Sequence, residues 1–345
     1  MPTIQAKHLV CFSGMFWEAI LALLLAFLAW AYKAIRPPPP LVHGCTGPRI
    51  KLRDGRFLSY KEYGVPKERA KYNAILIHGF GSSKNDDAFG KSELVEKLGV
   101  HVVAFDRPGY GESDPDPKRS PKSIALDIAE LGDELGFGPK FYVVGCSMGG
   151  QLVWGCLKYI PHRLAGAALL APVINYRWPS FPPKLAKTVF RQELPEDQWA
   201  SRVARYAPWL VYWWNTQKWF PPNSVIAGRA NFSAPDLEIL SKFDPSSIDM
   251  AYPTQQGVYE SLHRDMIVAF GAWEFDPMEI DDPFPGGEGS VHMWQGDQDG
   301  LVPVTLQRYI AKRLHWIKYH EMQNTGHMFL ALKSAQDEVL EALFA

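Results

Sequence analysis

Short apolar runs alternate with amphipathic stretches along most of this chain. Ala74–His78, His101–Phe105, Phe141–Gly145 and Ala167–Ala171 are nearly unbroken apolar runs bounded by polar or turn residues. That pattern predicts strands buried on both faces, as in a parallel sheet. Val291–Gln295 and Trp316–Glu321 repeat it near the C-terminus. Helical stretches lie between the runs, among them Ser123–Leu135 and Gln151–Ile160. Ile50–Tyr63 alternates instead and contains Asp54-Gly55, so two antiparallel strands joined by a tight turn are expected there. Strand–helix alternation of this kind predicts right-handed crossovers and a sheet covered on both faces.

Two regions break the pattern. Between Asn175 and about Gly289 lie Trp178, Trp199, Trp209, Trp213, Trp214, Trp219 and Trp273, amid prolines and amphipathic helical pieces. This reads as an insertion with an aromatic interior of its own. At the other end, the only charge from Leu9 to Tyr32 is Glu18. The run is long enough for one bilayer crossing, which takes about 20 residues. Glu18 lies near one end, where headgroups solvate it. Trp17, Trp30 and Tyr32 lie near the two ends, as interfacial anchors do. Pro37–Pro40 follows as a stiff spacer expected to hold the rest of the chain off the membrane. The alternative is a cleaved signal peptide, for which Ala29-Trp30-Ala31 resembles a cleavage site, but the preceding region carries only Lys7. Residues 1–40 are therefore expected to be a membrane anchor and linker, and 41–345 a catalytic domain. Lys33, Arg36, Arg49, Lys51 and Arg53 follow the span, against Lys7 before it, which places the C-terminal side in the cytosol. The endoplasmic reticulum is the default membrane. The sequon Asn231-Phe232-Ser233 points the other way, to a luminal domain.

Composition narrows the partners. At 345 residues and 47% hydrophobic, the chain can bury one large core. A formal net charge of -1, with no basic cluster interleaved with aromatics, argues against nucleic acid. The four cysteines form no CxxC, no HExxH occurs, and neither a metal nor a cofactor is expected. No disulfide framework is visible, which favours a reducing compartment.

The chemistry is concentrated in Gly145-Cys146-Ser147-Met148-Gly149. A serine between a predicted strand and a predicted helix fits a nucleophile elbow, in which a strained turn lifts the hydroxyl clear of the sheet. Taken alone, the pentapeptide is also an ordinary Gly/Ser turn. Serine catalysis needs a base to take its proton and a carboxylate to orient that base. The loop after Val291–Gln295 offers two carboxylates, Asp297 and Asp299. His327, after the last strand and Gly326, alone among 10 histidines combines the expected order with a loop position. His101, His162, His263, His292, His315 and His320 fall on strand, helix or insertion patterns.

These segments together resemble the α/β-hydrolases, and among them plant single-span membrane-anchored α/β-hydrolases, over about residues 45–345. The motifs are His78-Gly79-Phe80-Gly81, Asp106-Arg107-Pro108-Gly109-Tyr110-Gly111, the Ser147 pentapeptide, Gly296–Pro303 and Gly326-His327. The resemblance implies the α/β-hydrolase fold: a mostly parallel central sheet, helices on both faces, and a helical lid at about 175–289. The family pattern Gly-x-x-Asp-x-x-Val-Pro assigns the acid to Asp299. It also implies an oxyanion hole from the backbone N–H groups of Phe80 and Met148, with His78 structural. The lid of such enzymes covers the site, which makes Trp209, Trp213 and Trp214 candidates for an apolar substrate pocket. Epoxide hydrolases of this fold attack with aspartate; a serine suits acyl transfer instead. The expected activity is hydrolysis of a lipophilic carboxylic ester or other acyl compound. An acyltransferase or lyase on the same triad, or a low-turnover ligand receptor, is the alternative.

Overall fold

The computed structural model describes residues 3–41, 44–85, 89, 92–243 and 251–345. Residues 244–250 of the expected lid lie outside the described residues. The strands are β1 (Arg49–Lys51), β2 (Phe57–Gly64), β3 (Tyr72–Ile77), β4 (Val100–Phe105), β5 (Phe141–Cys146), β6 (Leu164–Leu170), β7 (Val291–Gly296) and β8 (Ile317–Met322). They form one sheet in the order β1-β2-β4-β3-β5-β6-β7-β8. β1 and β2 pair antiparallel, as do β2 and β4; every later pairing is parallel. The Asp54-Gly55 turn closes with Leu52 N–H donating to the Arg56 carbonyl at 2.7 Å, and Gly55 takes φ 90°. A positive φ of that size suits glycine.

Apolar side chains alternate between two cores, one on each face of the sheet. Ile75, Ile77, Val103, Phe105 and Val143 point to one, with α3 (Pro121–Glu134) and α4 (Met148–Tyr159) packed over them. Leu76, Val102, Ala104 and Val144 point to the other, beneath α2 (Glu93–Leu98) and α11 (Lys333–Phe344). β4 is buried along its whole length. A strand covered on both faces needs apolar residues at consecutive positions, which is why the runs rather than alternation mark these strands. The Ser120 side chain and Ser123 form a reciprocal capping box, with Pro121 at the first helical position.

The insertion between β6 and β7 is helical: α5 (Pro183–Phe190), α6 (Pro195–Tyr206), α7 (Val211–Thr216), α8 (Ala234–Leu240) and α9 (Arg264–Phe270). Ala200, Ala204, Val211 and Met266 make its small core, with Phe80 and Trp214 packed against it. α10 (Val304–Arg313) then leads into β8. At the N-terminus α1 runs Thr3–Ile35, and its stretch Trp17–Ile35 is apolar, exposed and long enough to cross a membrane. The Leu41 N–H donates to the Gln256 carbonyl at 3.0 Å, and the Trp30 and Trp219 rings are 6.2 Å apart, so α1 ends against α7.

Gly149 marks the closest backbone crossing, since a Cβ there would overlap the Ile77 carbonyl oxygen. Gly149→Ala is expected to destabilise the fold by about 1–3 kcal/mol or more. Gly44→Ala, in open space, should leave the thermal midpoint unchanged. Melting followed by circular dichroism checks the pair.

Candidate active site

The site begins with a strained residue. Ser147 follows β5 and precedes α4 with φ 53° and ψ -114°. Its N–H donates to the Leu170 carbonyl at 2.7 Å, and its carbonyl accepts from Gln151 at 3.0 Å and Val173 at 3.1 Å. Those bonds hold the turn closed, and the hydroxyl projects over the carboxyl edge of the sheet.

Two more carboxyl-end loops reach the same point. His327, after β8, places Nε2 2.9 Å from the Ser147 hydroxyl oxygen. Its Nδ1 lies 2.7 Å from Oδ2 of Asp299, on the loop after β7. The Asp299 side chain is fully buried. Oδ2 also accepts from Gln295 Nε2 at 2.7 Å, and Oδ1 accepts from the N–H groups of Leu301 and Val302 at 2.8 and 2.9 Å. Four donors fix that carboxylate in place, which is what a buried charge requires. Asp297 is engaged elsewhere: it accepts from the Thr325 N–H at 3.2 Å and shapes the turn before His327. Burial pushes the His327 imidazole down, but the charge and hydrogen bond of Asp299 outweigh it and hold its pKa above the ordinary histidine range.

Phe80 lies beside this constellation, because Gly79 approaches Ser147 so closely that a Cβ would touch the serine Cβ. The direction of its N–H follows from a contact on the opposite side. Arg107 donates to the carbonyls of His78 and Gly79, each at 3.0 Å. A trans peptide aims its N–H opposite to its C=O. Capture of the Gly79 carbonyl therefore turns the Phe80 N–H away from Arg107. Arg107 is itself clamped by Asp265 of α9, with bonds of 2.7 and 2.6 Å. Tyr110 and Arg119 add to the same carboxylate. Burial opposes both charges, yet their mutual attraction keeps the Asp265 pKa below and the Arg107 pKa above their usual values. His78 is locked by the same cluster: Nε2 accepts from the Arg107 N–H at 3.0 Å, and burial with the nearby guanidinium holds its pKa well below the ordinary range.

Nothing in the sequence pattern pointed to Asp265, 158 residues beyond Arg107. The same is true of Asp236 on α8, which accepts from the Met328 N–H at 2.7 Å and steadies the His327 loop from the lid side. Both contacts join the lid to the sheet edge, and sequence spacing carries no signal of such pairings.

A cavity of about 620 Å³ opens over Ser147 and His327, and Phe80 and Met148 also line it. Its walls are mostly apolar, with Phe190, Phe232, Phe243, Met266 and Phe270 among them. One polar wall carries Glu193, whose Oε1 accepts from the Tyr176 hydroxyl at 2.6 Å. Burial, aided by the charges of Asp197 and Asp299, pushes that carboxyl up to about 7. Trp209, Trp213 and Trp214 are not in the lining among the described residues. Trp209 is exposed, Trp213 packs on Trp219, and Trp214 stacks on Phe220. Trp213 and Trp214 also pack on each other, and the pocket role expected of the three tryptophans falls to smaller apolar side chains.

Comparison with known proteins follows the same lines. The model of the alpha/beta hydrolase family matches residues 74–342. Abhydrolase domain-containing protein abhd-5.2 of Caenorhabditis elegans is 27% identical over 283 residues, 76% of this chain and 56% of that protein. Epoxide hydrolase 4 of Mus musculus is 33% identical over 135 residues, 38% of this chain and 34% of that protein. The chain thus spans about a third to just over half of the length of these relatives. Among solved structures, a thermophilic esterase from Thermogutta terrifontis superposes with a TM-score of 0.56 at 19% identity, covering 86% of this chain and 96% of that one.

In nuclear magnetic resonance titrations, His327 should titrate above an ordinary histidine. Asp299→Asn should lower its pKa, because the charge that favours the imidazolium is gone. Asp297→Asn should move it much less. The reverse ranking would transfer the histidine's partner to Asp297.

Proposed function

The chain belongs to the alpha/beta hydrolase family, and from that premise we propose that it is a serine hydrolase of a lipophilic carboxylic ester or related acyl compound. The observation that carries this reading is the unbroken hydrogen-bonded path from Ser147 through His327 to Asp299, at 2.9 and 2.7 Å. His327 Nε2 takes the hydroxyl proton as Ser147 Oγ attacks the acyl carbonyl. Asp299 holds the ring and stabilises the imidazolium. The oxyanion that develops is met by the N–H groups of Met148 and Phe80, aimed before the reaction starts. The imidazolium then protonates the leaving alcohol, an acyl-serine remains, and water activated by His327 releases the acid.

Serine at the nucleophile position sets the chemistry apart from that implied by the name of the epoxide hydrolase relative, since an epoxide-opening enzyme of this fold attacks through aspartate. The mainly apolar cavity favours an acyl chain over a strongly polar substrate. The exposed apolar stretch Trp17–Ile35 supports a single bilayer crossing. The cations that follow it favour a cytosol-facing catalytic domain, with the endoplasmic reticulum as the membrane.

Ser147→Ala should abolish fluorophosphonate labelling and lower kcat by on the order of 10⁶ with the fold intact. Asp299→Asn should cost roughly 10⁴ through the wrong histidine tautomer. Labelling that persists at another serine would overturn the nucleophile assignment. In sealed microsomes the full-length protein should resist carbonate extraction and lose its catalytic domain to added protease. A protected domain carrying sugar on Asn231 would reverse the orientation.

A further inference from the structure

The lid tryptophans that do not line the cavity form a surface of their own. Ring contacts run without a break from the end of α1 into the lid: Trp30 to Trp219 at 6.2 Å, Trp219 to Trp213 at 6.0 Å, Trp213 to Trp214 at 6.3 Å. Trp214 then meets Phe220 at 5.7 Å and Trp199 at 6.1 Å. The outer members are strongly exposed: Trp199 55%, Trp219 67% and Phe220 52%, with Trp209 nearby in sequence at 64%. Contiguous exposed aromatic surface of this kind is uncommon on a soluble domain unless it meets a partner.

Its position names the partner. Trp30 lies five residues before the end of α1 at Ile35, and Lys33 and Arg36 follow it. Lys33 is three residues on, about 4.5 Å along the helix axis, so Trp30 sits where apolar residues give way to cations, the position interfacial tryptophans take. Trp219 meets Trp30 at that level. Indole rings favour this layer because an apolar face and a polar N–H are satisfied together. Lys218, exposed beside Trp219, adds a cation suited to lipid phosphate. Exposed Val225 and Phe243 also line the cavity, so the cavity reaches the lid surface at these two side chains.

We propose that this aromatic face of the lid lies in the interfacial layer of the same bilayer that α1 spans, and that acyl substrates enter the cavity from the lipid past Val225 and Phe243. The inference rests on the membrane-anchor reading above and extends it: the lid, and not only the helix, is a membrane-contacting element.

The test uses full-length protein in phosphatidylcholine nanodiscs, with plain or brominated acyl chains. Bromine quenches tryptophans that touch lipid. W199F/W219F should lose about a third or more of the bromine-quenched emission, given that Trp17 and Trp30 remain in the span. As a functional readout, W199S/W219S should lower hydrolysis of a bilayer-dissolved long-chain ester relative to a short water-soluble ester by about threefold or more. Quenching equal in wild type and W199F/W219F would overturn the inference while leaving the anchor in place. The same result with Lys218–Lys218 cross-links between copies would assign the face to a dimer and overturn it too. Release of full-length protein from vesicles by carbonate would remove the anchor reading itself, and this inference with it.

Discussion

The candidate active site depends on one backbone constraint, the reversal of the chain at Ser147. With φ at 53°, this residue occupies a region that side chains other than glycine rarely enter. The strain persists because the surroundings leave no alternative. Gly149 is wedged against the Ile77 carbonyl and Gly145 against the Gly149 carbonyl, and the serine N–H and carbonyl are both bonded across the turn. The two glycines thus allow β5 and α4 to approach closely enough to hold Ser147 in its turn. His327 and Asp299 then need only be delivered to a fixed point by loops at the same edge of the sheet.

A second constraint acts at a distance. The buried Arg107–Asp265 pair joins the loop after β4 to lid helix α9 and, through Arg107, fixes the carbonyls of His78 and Gly79. A buried ion pair is a weak source of net stability, because desolvation costs offset most of its attraction. Its value here is directional. By holding one face of the Gly79–Phe80 peptide, it orients the N–H on the other face. Asp236 does comparable work at the His327 loop. The lid is therefore a structural support of the His327 loop and the Gly79–Phe80 peptide as well as a cover for the cavity.

The arrangement of the aromatic side chains follows from the same division of labour. Inside, the cavity walls are built from phenylalanine and methionine side chains around Ser147. Outside, tryptophans pack edge and face against one another and against the end of α1. Indole rings are large and carry a polar N–H, so a surface that is apolar on one side and wet on the other suits them better than a closed pocket.

The sequence by itself determined the sheet and the strand-to-helix turn that carries Ser147. Buried parallel strands demand consecutive apolar residues, a sharp strand-to-helix turn demands flanking glycines, and both demands are local. Asp54-Gly55, the five apolar runs of the sheet interior and Gly145–Gly149 all appear in the structure where the pattern placed them. Local pattern did not separate Asp297 from Asp299, because both lie on one loop; a family motif favoured Asp299, and the structure bonds it to His327. Tertiary structure alone decided which lid side chains face the cavity, which face out, and which lid carboxylates brace the Arg107 and His327 loops. Those outcomes depend on how short, weakly periodic helices pack against sheet-edge loops 92 and 158 residues away in sequence, a relation that no local spacing records.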